Sequence, residues 1–431
     1  MPHAADPPRG VGTPMDDAER RVLDGIDTEW IVRRLAELVA IPSLGGHERP
    51  AQEWVASEFR RLGFEIDTWE LDLPALRAHA SFSMEVDRAE GLGVVGSMGA
   101  GEGRTLILNG HVDVVPAGNP SNWTHPPWEA TVRDGRVYGR GTADMKGGLV
   151  CALAAAKALH DAGVRVRGRL FVESVIGEED GGVGTLAACL RGYRADGAIV
   201  LEPTRLCVAP AQAGALCFRI TIPGRSAHAS VREEGVSAIE KFGPIHAALA
   251  ELERARNARE TSSLYARYRL PYALSIGRLQ AGDWPSSVAE SLTFEGRYGV
   301  AVGENVEAAR HAFERALEAA ANADPWLREH PPRLEWWGGQ FAPANVPEDD
   351  PIVRTVAAAV SDLIGAAARL EGMTYGSDMR LLVHEARTPT VLFGPGDVRN
   401  AHRSDEHVAV EDLLAATRAI CLSVMRFCGV A

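Results

Sequence analysis

His111 and Asp113 stand two residues apart at the end of an apolar run, 106–108, so a strand continuing through them turns both side chains to one face. An imidazole can then bind a metal ion through one ring nitrogen while the carboxylate holds the other and fixes the tautomer. Asp144 lies between glycines at 139, 141, 147 and 148, whose flexible backbone lets its carboxylate approach a metal closely before the next helix begins. Glu178 and Glu179 follow an apolar run at 170–176 and precede Asp180, which packs three carboxylates at one strand end, where a cation offsets their repulsion. Glu202 and His402 also lie just past strand-like stretches. Taken singly, these residues have plainer readings: a loop histidine beside a surface aspartate, a helix N-cap at Asp144, a solvated acidic face at 178–180. As a set they combine imidazole and carboxylate, the ligand chemistry of zinc, cobalt or manganese, and such groups are costly to bury unpaired. The set points to a metal-dependent hydrolase.

The elements that must hold them are legible from periodicity. Apolar residues Ile31, Leu35, Leu38 and Val39, then Trp54, Val55, Phe59 and Leu62, recur at helical spacing around a turn at 41–46. Apolar runs at 105–108, 170–176, 198–201 and 390–393 read as buried strands, separated by helical patterns at 148–160 and 185–190. Buried strands alternating with helices predict an α/β layer with a mainly parallel sheet. Residues 212–338 have another rhythm: a strand at 216–222, a helix at 239–252, strands at 272–279 and 288–300, a helix at 306–317 and a short strand at 333–337. That βαββαβ order is the ferredoxin-like one. It interrupts the first pattern, which resumes at 350 and ends in a helix near 410–427. The expected organisation is therefore a tail at 1–17, a metal-binding domain at 18–211 and 339–431, and an inserted α+β domain at 212–338.

A chain of 431 residues favours two domains over one, and 46% apolar content supplies two cores. The excess of 58 acidic over 45 basic residues, a net charge of -13, opposes nucleic acid and anionic membrane surfaces and favours a small substrate. Six cysteines without paired short spacing read as reduced core residues. Residues 1–17 are rich in Pro, Gly and Asp and lack a signal-peptide core, and no run is long enough to span a bilayer, so a disordered tail and a cytoplasmic location are expected.

Five segments, "NGHVDVVP", "GRGTADMKGG", "GEEDGG", "LEPT" and "AHRSDEH", occur in that order. Together they resemble the metallopeptidase and deacylase family that includes acetylornithine deacetylase, succinyl-diaminopimelate desuccinylase, aminoacylase and carboxypeptidase G, over residues 35 to the C-terminus. The resemblance implies a zinc-peptidase-like catalytic domain and makes the inserted module a lid through which homodimers form. It implies two divalent metal ions per chain, zinc in the first place with cobalt or manganese as alternatives. Asp144 would bridge them, one also held by His111 and Glu202, the other by Glu179 and His402. By the same resemblance Asp113 is the orienting partner of His111, Glu178 is general base and acid, and the bond from Asp144 to Met145 is cis.

In the lid, His228 alone reads as an exposed turn histidine; the resemblance makes it a donor to the tetrahedral oxyanion, often in the partner's site. Arg297 lies on the strand face opposite Leu292, Phe294 and Tyr298, and the resemblance gives it the substrate's carboxylate, a task that suits a guanidinium fork. Gly376, Ser377, Asp378 and Arg380 resemble a further substrate-pocket segment. One departure stands out: Ser286 occupies a position where many relatives carry asparagine, and serine offers no amide donor. The implied reaction is hydrolysis of an amide bond in an N-acyl amino acid or similar small carboxylate-bearing amide. Alternatives are a dipeptidase or carboxypeptidase-like activity, hydrolysis of an aryl amine or formamide, and, from another class, an inactive metal-binding scaffold.

Overall fold

The computed structural model describes residues 15–431. Of the expected tail, residues 1–14 lie outside the described residues, and its last part is helical instead. Asp16 accepts a hydrogen bond from the Glu19 backbone while Glu19 reaches back to the Asp16 N–H, a capping box that starts the helix Asp17–Asp24. Val22 and Leu23 bury the inner side of that helix.

The described chain divides into two compact units, one of residues 15–211, 345–371 and 377–431, the other of residues 212–344 and 372–376. In the first unit six neighbouring strands of a mixed sheet run in the spatial order Glu65–Glu70, Leu92–Met98, Arg169–Val175, Thr105–His111, Gly197–Val200 and Thr390–Leu392. The last four are mutually parallel, and the first two are antiparallel additions at the edge. The strand Thr105–His111 is buried from Leu106 onward, as a strand covered on both faces must be, and each of Leu106, Ile107 and Leu108 gains roughly 1.5–3 kcal/mol from leaving water. Helices Lys146–Asp161 and Val410–Cys428 pack on each other and on this strand, while Arg49–Arg61 and Val183–Arg191 lie on its neighbours. Gly148 lets the helix Lys146–Asp161 also approach the segment that follows Gly197–Val200. A Cβ there would sit 2.1 Å from the Leu201 carbonyl oxygen, so Gly148→Ala would push the helix that follows Asp144 away from the segment that carries Glu202.

The second unit is a four-stranded antiparallel sheet in the order Leu274–Ala281, Ser291–Val300, Gly214–Pro223 and Arg333–Phe341, with helices Ala238–Asn257 and Val306–Ala323. Leu216, Phe218, Ile220 and Ile222 are buried with Phe294, Tyr298 and Phe313, while Cys217, Arg219 and Thr221 alternate onto the other face. The strand predicted from 288 begins at Ser291, because 284–287 form a turn and Val288 donates to the Ala227 carbonyl outside the sheet. The last strand continues to Phe341 through a register shift after Trp336.

Candidate metal centre

Three adjacent parallel strands deliver ligands from their carboxyl ends, the place where open α/β sheets bind ligands. His111 ends Thr105–His111, Glu178 and Glu179 follow Arg169–Val175, and Glu202 follows Gly197–Val200. Asp144 comes from the loop before Lys146–Asp161, and His402 from the loop after Thr390–Leu392. The fold thereby gathers residues spread over nearly three hundred positions into two groups, His111 with Asp144 and Glu202, and Asp144 with Glu179 and His402. The ligand atoms of each group lie within 4.8 Å of one another. Asp144 belongs to both: His111 Nε2 is 3.2 Å from its Oδ1 and His402 Nε2 is 3.5 Å from its Oδ2.

The hydrogen bonds around the centre show why a cation fits. His111 Nδ1 lies 2.9 Å from the Asp113 carbonyl oxygen; a carbonyl only accepts, so Nδ1 carries the proton and Nε2 presents its lone pair. Nε2 then faces oxygens of Asp144, Glu178 and Glu202 at 3.2, 3.8 and 3.9 Å. Carboxylates also only accept, so the arrangement needs either a proton or a metal ion at its centre. Burial raises the Glu178 carboxyl well above the usual carboxylate range, and the charge of Glu202 adds to it. Burial and Asp144 raise Glu202 and Glu179 in the same way. Asp144 is itself held below the ordinary range: burial pushes it up, but hydrogen bonds from His111 and His402 prevail. The charge of Glu179 raises the His402 imidazole to about 11, although its side chain is 54% exposed. Four crowded carboxylates and two imidazole lone pairs make a donor set matched to two divalent ions.

Asp113 does more than was expected and by another route. Its carbonyl, rather than its carboxylate, takes the Nδ1 proton, because the strand ends at His111 and Asp113 turns away from it; the nearest carboxylate oxygen is 3.6 Å from Nδ1. The carboxylate instead accepts the backbone N–H groups of Glu178 at 3.2 Å and Glu179 at 3.0 Å, which fixes the loop carrying both glutamates. Arg88 braces that loop from the other side, pairing Asp180 at 2.7 Å and Glu48 at 2.7 Å, all three buried. The Asp144–Met145 peptide bond is cis, as the resemblance implied.

In the segment 376–380, Ser377, Asp378 and Arg380 are buried and bonded to protein groups. Arg380 Nη2 donates to the Gly181 carbonyl at 2.6 Å, Asp378 accepts from Thr185 Oγ1 at 2.6 Å, and Ser377 Oγ accepts from the Met379 N–H. Gly376 answers to packing, since a Cβ there would lie 2.5 Å from Phe341 Cβ. In the second unit His228 is exposed and Ser230 N–H donates to its Nδ1, which leaves Nε2 as the protonated nitrogen, a donor turned outward. The Ser286 carbonyl accepts the Ala229 N–H, so Ser286 abuts the His228 turn. Arg297 is half-buried on the face away from Phe294 and Tyr298, with Nη2 donating to the Thr374 carbonyl at 3.2 Å. Sequence reasoning passed over Glu406, Arg140 and Lys146. Lys146 is fully buried and donates to the Leu38 and Ile41 carbonyls at the end of Thr28–Val39, and burial pulls its ammonium down to about 7. All three lie inside the quoted segments "GRGTADMKGG" and "AHRSDEH", yet neither their type nor their spacing names a partner.

The sequence profile of Peptidase family M20/M25/M40 matches residues 107–426. The chain belongs to this family. The resemblance drawn from the five segments is thereby borne out. Over 423 residues the chain is 31% identical to the N-formyl-4-amino-5-aminomethyl-2-methylpyrimidine deformylase of Halalkalibacterium halodurans, covering 93% of this chain and 95% of that one. It is 30% identical to the deformylase of the same description from Bacillus subtilis, over 88% of this chain and 89% of the other. Human carnosine dipeptidase 1 has a similar fold, with a TM-score of 0.76 at 16% identity over 96% of this chain and all, 100%, of that structure. This M20 chain is a metal-dependent amidohydrolase acting on C–N amide bonds, with two ligand groups that share one aspartate. Among the described residues no helix is long and apolar enough to cross a membrane.

Proposed function

We propose that the chain removes a formyl group from a small N-formyl amine, using two zinc ions at the shared centre, in a cytoplasmic homodimer formed through the second unit. The observation that carries the acyl group is the end-to-end similarity to two deformylases. A pair of bound divalent ions supplies Lewis acidity to the scissile carbonyl and an acidified water. The residues of the chain do the rest. Asp113 and Arg88 hold the loop on which Glu178 is carried, Glu178 Oε2 takes the proton of the attacking water, and the same oxygen returns it to the departing nitrogen. The raised Glu178 carboxyl is suited to that exchange, because a group that is too acidic would not hold the proton between the two steps. His228 Nε2–H serves as a donor to the oxyanion.

A second reading, hydrolysis of an N-acyl amino acid or a dipeptide, is favoured by Arg297, whose Nη2 donates to the Thr374 carbonyl and whose guanidinium fork suits a carboxylate. The test is zinc-reconstituted protein assayed on matched N-formyl amines, N-acetyl amino acids and dipeptides. The proposal expects the highest kcat/KM on a formamide. Faster turnover of an N-acetyl amino acid or dipeptide replaces it with the second reading, and fewer than two ions bound per chain at saturation rejects the dinuclear centre.

A further inference from the structure

Four residues beyond His402, in a loop where His402 and Asp405 both adopt left-handed φ of 58° and 55°, Glu406 is completely buried. Its acceptors all serve one segment, the one that carries Asp144. The main-chain oxygen takes the Gly139 N–H at 2.9 Å, Oε1 takes the N–H groups of Ala143 at 3.0 Å and Asp144 at 3.2 Å, and Oε2 pairs with Arg140 Nη1 at 2.5 Å. Arg140 is buried in turn, with its guanidinium over the Trp123 ring. The loop is pinned a second time by Asp405, whose Oδ1 accepts the N–H groups of Thr124 and His125.

We propose that Glu406 is a positioning residue of the metal centre, fixing the main chain at Asp144 and coupling it to the loop that supplies His402. This rests on the reading that Asp144 is shared by two ions. A buried ion pair is a poor source of stability, since its desolvation cost offsets its attraction and apolar replacements of similar size are often neutral. What the Glu406 carboxylate supplies that an apolar side chain does not is an acceptor for two consecutive N–H groups. Those N–H groups set the direction in which Asp144 leaves the backbone, and a displacement there disturbs both ligand groups together.

The test separates the acceptor from the charge. Both R140M/E406Q and R140M/E406M remove the ion pair at similar volume, and only glutamine keeps an oxygen for the Ala143 and Asp144 N–H groups. Zn2+ affinity is read by competition with a fluorescent chelator, and the melting temperature of the metal-free protein is read beside it. R140M/E406Q should bind zinc about as tightly as the unmodified chain, and R140M/E406M about 10- to 100-fold more weakly, with matched metal-free melting temperatures. Equal affinities in the two double variants overturn the proposal. If R140M/E406M does not melt cooperatively, the comparison moves to E406Q against R140M/E406Q, in which the glutamine amide faces a guanidinium and then a methionine. Weakened binding in the first that is restored in the second supports the proposal, and equal binding overturns it. Failure of the unmodified chain to bind two ions is a different result, and it rejects the dinuclear centre itself.

Discussion

Two histidines show how differently the two units hold their chemistry. His111 is buried at a strand end, its Nδ1 tied to a carbonyl two residues on, and its remaining nitrogen has nowhere to point but into three carboxylates. His228 is exposed on a turn, and its Nδ1 is occupied by the N–H and hydroxyl of Ser230. In the first case the fold fixes ring, tautomer and target together; in the second a local turn fixes only the tautomer. The candidate metal ligands and the proposed proton carrier therefore all sit at the parallel sheet of the first unit. In the proposed reading, His228 and Arg297 of the second unit act from a surface that a few local contacts orient.

The largest effect should come from the sheet side. Glu178→Gln removes the proton carrier without touching the ligands, so turnover should fall on the order of 10³-fold while bound zinc and melting temperature stay as they were. Activity within tenfold of the unmodified chain would move the proton transfer to another residue. His228→Ala should cost about 10²-fold in kcat, with zinc content unchanged. The comparison between the units breaks if that variant loses metal, because His228 would then be part of the centre's framework.

How far the sequence showed all this depended on how each residue is held. His111, Glu179 and Glu202 were legible as candidate ligands because each follows an apolar run and strand ends in a parallel sheet converge on one edge, and Asp144 because glycines flank it. The order of the lid elements was legible because Leu216, Phe218, Ile220 and Ile222 alternate while Phe313 and Leu317 keep helical spacing. Glu406 was not, since it acts on main-chain N–H groups 262 and 263 residues away, and a backbone donor leaves no mark on the residue type that provides it. The hydrogen bonds of Arg380 were equally silent, because they run to the carbonyls of Ser81 and Gly181 and a backbone acceptor leaves no mark on residue type. The left-handed backbone of His402 is equally silent, because glycine would have announced it and histidine does not.

Arg297→Ala sharpens the comparison on the lid side. If Arg297 grips a carboxylate, KM for N-acyl amino acids should rise about 10- to 100-fold with kcat little changed, while a formamide without a carboxylate should be indifferent. A kcat loss shared by both substrates would mean that the arginine acts on the reacting carbonyl, as proposed for His228, and not on a carboxylate.

The smallest expected effect lies beneath the centre and concerns stability. Asn109 donates to Glu173 Oε2 and to Thr185 Oγ1, both at 3.0 Å, and Thr185 donates to Asp378. Glu173 has no hydrogen bond at Oε1, and burial pushes its carboxyl up to about 7, against the bond from Asn109. A carboxyl raised in the folded state keeps its proton longer there than in the unfolded chain. Below the ordinary value of 4.5 it is neutral in both states and costs nothing; between 4.5 and about 7 folding progressively loses stability, and above 7 the loss is complete, on the order of 3 kcal/mol at most. Glu173→Gln keeps an acceptor for Asn109 and has no charge to bury. The excess of its melting temperature over that of the unmodified chain should be larger at pH 8 than at pH 5. A difference between the two proteins that is the same at both pH values would show that Glu173 is not held as a buried acid, and that the rigidity under the ligands has another source.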